Sequence, residues 1–382
     1  MYKKEALELH KKGKLEVKSK IKLTSGNLRL AYTPGVAEVS KEIYKHPRKI
    51  FDYTIKRNCV AIVTDGSAVL GLGNIGAEAS LPVMEGKAVI FKEFAGIDAF
   101  PICLKTQKVN EIVNIVKNIS TVFGGINLED ISAPRCFEVE GKLQNLGIPV
   151  MHDDQHGTAV VVLAGLINSC KVVKKRFEDL KIVVNGAGAA GTAISRLLSC
   201  TNIHDKICKS VSDIIVCDRH GTIYEGRKNL NKHKMNLAKN TNRTKIKGKL
   251  IDALEGADVF IGVSTGNLLN EEMIKKMNKN SIVFAMANPV PEIMPEKARK
   301  AGAKIVATGR SDFSNQINNA LAFPGIFRGA LDSGAKQITD KMKLNAAYAL
   351  ANAIRKPNQN RILPDLFDKS IVKNIARAIM KD

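Results

Sequence analysis

The sequence predicts an α/β protein. An N-terminal α/β domain over residues 1–157 is followed by a Rossmann-like, doubly wound dinucleotide-binding domain over 158–382. Three observations predict this. Short apolar runs of strand type alternate with amphipathic helical stretches, the pattern of a largely parallel sheet. A GxGxxG segment, Gly186 to Gly191, follows the apolar run KIVVN at once and opens a helix. Two acidic pairs, Glu129-Asp130 and Asp153-Asp154, each close an apolar run, and ligands of parallel sheets lie at the carboxyl ends of strands.

With 382 residues, the chain has room for two or three domains at ~100–200 residues each. Its net charge is +22, from 59 Lys+Arg against 37 Asp+Glu. The lysines are spread out, with modest clusters at 3–22, 171–176 and 228–249, no aromatics among them and no Trp in the chain. That pattern favours solvated lysines over a nucleic-acid surface, and its field suits an anionic small substrate. The seven cysteines form no CxxC pair and their number is odd. They are therefore expected to be reduced, mostly buried thiols of a cytoplasmic protein, with neither a disulfide framework nor a zinc site. The polar N-terminus lacks the apolar core of a secretory signal, and no uninterrupted apolar run approaches the ~18 residues of a membrane span.

In chain order, residues 3–22 read as a polar, partly helical lead. Thr33-Pro34-Gly35 is a turn signal with Tyr32 directly before it, and a helix follows to about Tyr44. Cys59 to Thr64 is a strand, ended by the turn Asp65-Gly66-Ser67. Gly71 to Gly76 is a second GxGxxG match, but a turn precedes it and Pro82 follows soon after. It reads as a glycine turn lining the cleft rather than a dinucleotide site. Lys87 is read as standing before a strand, Ala88 to Phe91. A further strand covers Ala99 to Leu104, and apolar residues at 109, 112, 113, 116 and 119 predict an amphipathic helix over 109–122.

Both acidic pairs are expected where a strand gives way to a loop. Adjacent residues on a regular element point in different directions. The backbone must therefore turn at Glu129-Asp130 for both acids to face one point, and Ser132, Ala133 and Pro134 fit a loop there. Carboxylates converging in one pocket repel unless a cation holds them, and oxygen-only ligands suit Mg²⁺ or Mn²⁺. Two unrelated acidic surface turns would give the same letters, so the pairs alone decide nothing.

After an apolar helix over 159–173, the second half carries the full dinucleotide context. In Gly186–Gly191 the first glycine makes the tight turn, Gly188 lets pyrophosphate approach, and Gly191 lets helix and strand pack. The helix N-terminus offers free N–H groups to the phosphates. The strand from Asp213 ends in Asp218, 27 residues past Gly191 because 199–212 reads as a modest insertion. Strands at 257–263, 281–286 and 304–307 complete the domain, with helices at 336–356 and 366–381.

The chain resembles the malic enzymes of short bacterial type. The resemblance rests on YTPGVAE at 32–38, VTDGSAVLGLGNIG at 63–76, LPVMEGKAVIF at 81–91, NLEDI at 127–131, HDDQHGTA at 152–159, GAGAAG at 186–191, ANP at 287–289 and NNALAFPG at 318–325. These occur in family order and cover nearly the whole chain. The resemblance implies a catalytic N-terminal domain and oxidative decarboxylation of L-malate to pyruvate and CO₂ with reduction of NAD or NADP. It implies that Glu129, Asp130 and Asp154 ligate Mg²⁺ or Mn²⁺, that Lys87 is the base for the C2 hydroxyl with Asp153 tuning it, and that Tyr32 is the acid protonating the enolate. Asn288 and Asn319 would hold substrate. Thr158, Gly186, Gly188, Ala189, Ala190, Gly191, Asp218, Ser264 and Asn288 would contact the dinucleotide. Ala68 stands where longer family members carry a carboxylate-binding arginine, so that contact must come from elsewhere. A homodimer is implied, with the tyrosine segment serving either its own site or the partner's.

A lysine acts as a base near neutral pH only if burial or nearby positive charge lowers its pKa. Asp218 favours the ribose 2′-OH of NAD and repels a 2′-phosphate, although Arg219 beside it could accept that phosphate, so NAD is the expected cofactor and NADP the alternative. Two other readings remain. One is a malolactic-type or oxaloacetate decarboxylase without net cofactor reduction. The other is a non-catalytic dinucleotide-binding protein.

Overall fold

The computed structural model describes residues 3–69, 71–201, 203 and 208–380. Two parallel sheets organise them. The first holds β1 (Cys59–Thr64), β2 (Asp98–Cys103), β3 (Gly125–Leu128) and β4 (Val150–His152), in the order β2-β1-β3-β4. The second holds β5 (Lys181–Asn185), β6 (Asp213–Asp218), β7 (Gly221–Thr222), β8 (Val259–Gly262), β9 (Ile282–Ala285) and β10 (Ile305–Thr308). Its order is β10-β9-β8-β5-β6-β7, and only the β6–β7 pair is antiparallel.

In each sheet the chain runs outward on one side of a central strand and then crosses to the other. That creates a switch point between β1 and β3 and another between β5 and β8, each a natural ligand crevice. The central strands are apolar runs covered on both faces, as parallel sheets require; all six residues of β1 are buried, whereas the edge strand β2 is half-buried throughout. One continuous core lies between the sheets. It joins Val60 and Ile62 of β1 to the helix Asp153–Val173, to Ile182 and Val184 of β5, and to the C-terminal helices. Separate cores cover the outer face of each sheet.

Several sequence expectations need correction. Residues 88–91 are not a strand. They belong to a helix, Gly76–Ala95, that runs through Pro82. A short apolar run does not distinguish strand from helix, and the buried positions 77, 80, 84, 87, 88 and 91 repeat at helical spacing. Asp153-Asp154 does not enter a loop either: it is the first turn of the helix Asp153–Val173, directly after β4. The reading of all cysteines as thiols fails for Cys200 and Cys208, which form a disulfide; the other five are free. Part of the 199–212 insertion, residues 202 and 204–207, lies outside the described residues.

A helix over Phe323–Ser333, with Pro324 in its first turn, was not legible as one. The last two helices are shorter than expected, Asp340–Asn352 and Ser370–Ile379. Among the described residues, only the helix Asp153–Val173 is long and apolar enough to cross a membrane, and it is mostly buried in the core.

Candidate active site

The two switch points open into adjoining cavities. One, of about 650 Å³, is lined by Lys87, Glu129, Asp130, Asp154, Thr158, Asn288 and Asn319. The other, of about 730 Å³, is lined by Gly186, Gly188 and Asp218. Val263 and Ser264 border both.

Lys87 reaches the first cavity because it lies on the buried face of the helix Gly76–Ala95. Its Nζ donates to Glu129 Oε1 and to Asp153 Oδ2, each at 2.5 Å, and sits 4.3 Å from the centre of the Phe323 ring. Glu129 and Asp130 follow β3. Asp130 takes a left-handed backbone conformation, φ 53°, which supplies the turn that the sequence demanded. Its N–H donates to Asp154 Oδ2 at 2.8 Å, tying the β3 loop to the first turn of the following helix. Asn127 Nδ2 steadies Glu129 Oε2 at 3.0 Å. Gly157 is required one turn after Asp153: a Cβ there would lie 1.8 Å from Asp153 Oδ1.

Glu129, Asp130 and Asp154 each bring one oxygen to within 4.8 Å of the others. Asp130 Oδ2 is buried with no hydrogen-bond partner. Burial first, then mutual repulsion with Asp154 and Glu129, pushes the Asp130 carboxyl up to about 9. Burial likewise drives Glu129 and Asp154 upward, against the pull of Lys87. An all-oxygen set with an unsatisfied buried acceptor fits a hard divalent cation such as Mg²⁺ or Mn²⁺. Lys87 itself departs from expectation. Burial favours its neutral form, but Asp153, Glu129 and Asp154 outweigh that and raise its pKa above the usual lysine value.

Beneath the cluster lies a network that sequence reasoning missed. Glu140 accepts from the His152 N–H at 2.9 Å, from Gln155 at 3.0 Å and from His156 Nε2 at 3.0 Å. An ionised carboxylate only accepts, so His156 Nε2 carries the hydrogen. Burial opposes its charge, yet His156, Lys343 and His152 hold Glu140 down at about 2. His152 is wholly buried and lowered to about 4, chiefly by burial.

In the second cavity Gly186, φ 127°, packs against Val263 O, and a Cβ on Gly191 would meet Gly186 O at 1.7 Å. Gly188 has open space on its Cβ side. Ala189 and Ala190 begin the helix Ala189–Leu198, with Ala190 facing the first cavity. Ser264 Oγ accepts from Asn185 Nδ2 at 2.6 Å. A further missed residue is Glu292. Fully buried, it accepts from the Ser264 N–H at 3.2 Å and the Ala287 N–H at 3.0 Å, joining the loops after β8 and β9.

Asp218 is not a free acid. It accepts from Arg227 through both oxygens, at 2.8 and 2.7 Å, from Lys234 at 2.6 Å and from the His220 N–H at 2.9 Å. Those bonds overcome its burial and lower it to about 2. Tyr32 lies outside both cavities on this chain and is 69% exposed. Gly71 does line the cleft, where a Cβ would strike Asn288 O at 2.1 Å.

A family model for the malic enzyme N-terminal domain matches residues 11–144, and one for the malic enzyme NAD-binding domain matches 155–382. The chain belongs to the malic enzyme family. Its malic enzyme relatives include the bifunctional malic/malolactic enzyme of Bacillus subtilis, 54% identical, with 99% of this chain and 92% of that one covered. The NAD-dependent malic enzyme of Geobacillus stearothermophilus is 52% identical over 98% of this chain and 77% of its own length. The crystal structure of malic enzyme from Pyrococcus horikoshii is similar with a TM-score of 0.94 at 47% identity, covering 100% of this chain and 90% of that one.

Proposed function

We propose that this chain converts L-malate, NAD or NADP to pyruvate, CO₂ and the reduced cofactor, using a divalent cation. The observation that carries the reading is the meeting of Lys87 with three clustered carboxylates in a cavity that shares Ser264 with a dinucleotide crevice. We assign residues 1–157 to substrate and metal and 158–382 to the dinucleotide.

Lys87 would take the proton of the C2 hydroxyl, with bound NAD or NADP as the hydride acceptor. A cation held by Glu129, Asp130 and Asp154 would offset the carboxylates that raise the Lys87 pKa and so favour its neutral form, and Asp153 orients the lysine. Breaking C3–C4 then releases CO₂, and Tyr32 returns a proton to C3, giving pyruvate. Glu129, Asp130 and Asp154 would hold the cation, which supplies Lewis-acid stabilisation of negative charge on the C2 oxygen. Asn288 and Asn319 position the substrate at the cavity wall.

Tyr32 lines neither cavity on its own chain, so we propose that a second copy supplies it in a homodimer. Leu28, Leu30, Tyr32 and Tyr44 of the N-terminal segment are each exposed, which supports an interface there. We also propose a cytoplasmic location, where malate and its nicotinamide acceptors meet. The test is malate consumption with Mn²⁺ and either cofactor, and its loss when EDTA removes the metal. No turnover with either cofactor by folded protein would refute the reading. A second reading has one specific support, the malic/malolactic name of the Bacillus subtilis relative. Lactate formed without net cofactor reduction would favour it.

A further inference from the structure

The malate reading leaves one substrate charge without a cationic partner, since Asn288 and Asn319 offer only neutral donors. A C4 dicarboxylate that offers its C2 oxygen and adjoining carboxylate to the cation still carries a second carboxylate. Burying that charge unpaired is strongly unfavourable, so the cavity must present a cation to it. Among the described lining residues, Lys87 is taken by Glu129 and Asp153. The other lining lysine is Lys14, which comes from the N-terminal arm.

We infer that Lys14 binds the substrate's distal C4 carboxylate. Its ammonium is placed by three contacts. Nζ donates to Pro82 O at 2.8 Å and bonds His10 Nε2 at 2.8 Å, and the backbone N–H donates to Glu85 Oε2 at 3.2 Å. A lysine only donates, so His10 Nε2 is the acceptor and His10 Nδ1–H donates to Ala6 O. Two of the three ammonium protons are thereby used, and the third remains for a ligand. The arm is aimed at the helix face that carries Lys87. Val83, Gly86, Lys87 and Ile90 all line the cavity, and Lys14 Nζ lies 3.3 Å from where a Cβ on Gly86 would stand. Gly13, φ 78°, supplies the turn that brings the arm there. Burial draws the Lys14 pKa down against the opposing pull of Glu85, so an incoming carboxylate meets a partly desolvated cation.

The assignment rests on the malate reading, and the experiment separates the two. Malate turnover by the unaltered enzyme tests that reading by itself. Lys14→Met is then compared for malate KM and for inhibition by oxalate, which chelates a metal but has no distal carboxylate. The expected result is a rise in malate KM of about 10- to 100-fold, the worth of one charged hydrogen bond. Oxalate inhibition stays within about twofold, because nothing of oxalate reaches Lys14. Lys14→Arg recovers most of the loss. Gly86→Ala, which crowds the ammonium while leaving Lys14 in place, raises malate KM in the same direction. An unchanged malate KM in Lys14→Met overturns the assignment. So does an equal loss for malate and oxalate, which would mark Lys14 as a merely structural tie.

Discussion

At the scale of single residues, Lys87 and the three carboxylates divide the work. Lys87→Ala should lower kcat by about 10²- to 10⁴-fold, the usual contribution of a positioned base, while Mn²⁺ still binds. Calorimetry of Mn²⁺ binding alongside the rate measurement checks both halves. A variant that loses the metal too would mean that Lys87 only holds Glu129 in place. The raised carboxyls also fix the pH dependence of metal affinity. Metal ligands must be deprotonated. With Asp130 up at about 9 and Glu129 at about 7, protons compete for the site below those values. Mn²⁺ affinity should therefore climb as pH rises from 6 to 9, and a flat profile would contradict the ligand assignment. At Asp218 the carboxylate is already shared by Arg227 and Lys234, so its repulsion of a 2′-phosphate is largely offset. The protein should then use NADP as well as NAD. Lys234→Ala should raise the NAD-over-NADP ratio of kcat/KM, and an unchanged ratio would place the phosphate elsewhere.

At the scale of elements, the sequence was most legible where one local rule sufficed. KIVVN followed by GAGAAG names its strand, turn and helix, because Gly186 and Gly191 answer steric demands that the structure displays. The central strand β1 was legible for a similar reason: buried on both faces, it reads as a continuous apolar run. The helix Gly76–Ala95 was illegible in part because Pro82 and a short apolar run both argued against it, while long-range packing on the sheet overrode them. Glu140 gave no local signal, since its partners lie 12 to 16 residues ahead and meet it only in the fold. Removing its charge leaves buried donors poorly matched. Glu140→Gln should destabilise the protein by about 2 kcal/mol or more, read as a lower denaturant midpoint, and an unchanged midpoint would contradict that. Asp218 shows the reverse limit. Its place at a strand end was legible, but its neutralisation by Arg227 and Lys234, 9 and 16 residues on, was not.

At the scale of the whole molecule, the chain gathers its assigned catalytic, metal and substrate groups around the first cavity, Asp153 through its bond to Lys87, with the exception of Tyr32. If a second copy donates that tyrosine, mixed dimers of Tyr32→Phe and Lys87→Ala subunits each contain one intact site. Random reassociation of the two inactive variants should then restore roughly a quarter of full activity, as expected for an isologous dimer. No recovery would return Tyr32 to its own subunit or remove it from the chemistry. The most direct measurement is the stoichiometry of the complete reaction: L-malate consumed, reduced cofactor formed, and pyruvate and lactate produced, with Mn²⁺ present. The account predicts one pyruvate and one reduced cofactor for each malate, with no lactate. Malate loss matched by lactate without reduced cofactor, or no malate loss at all, would contradict it.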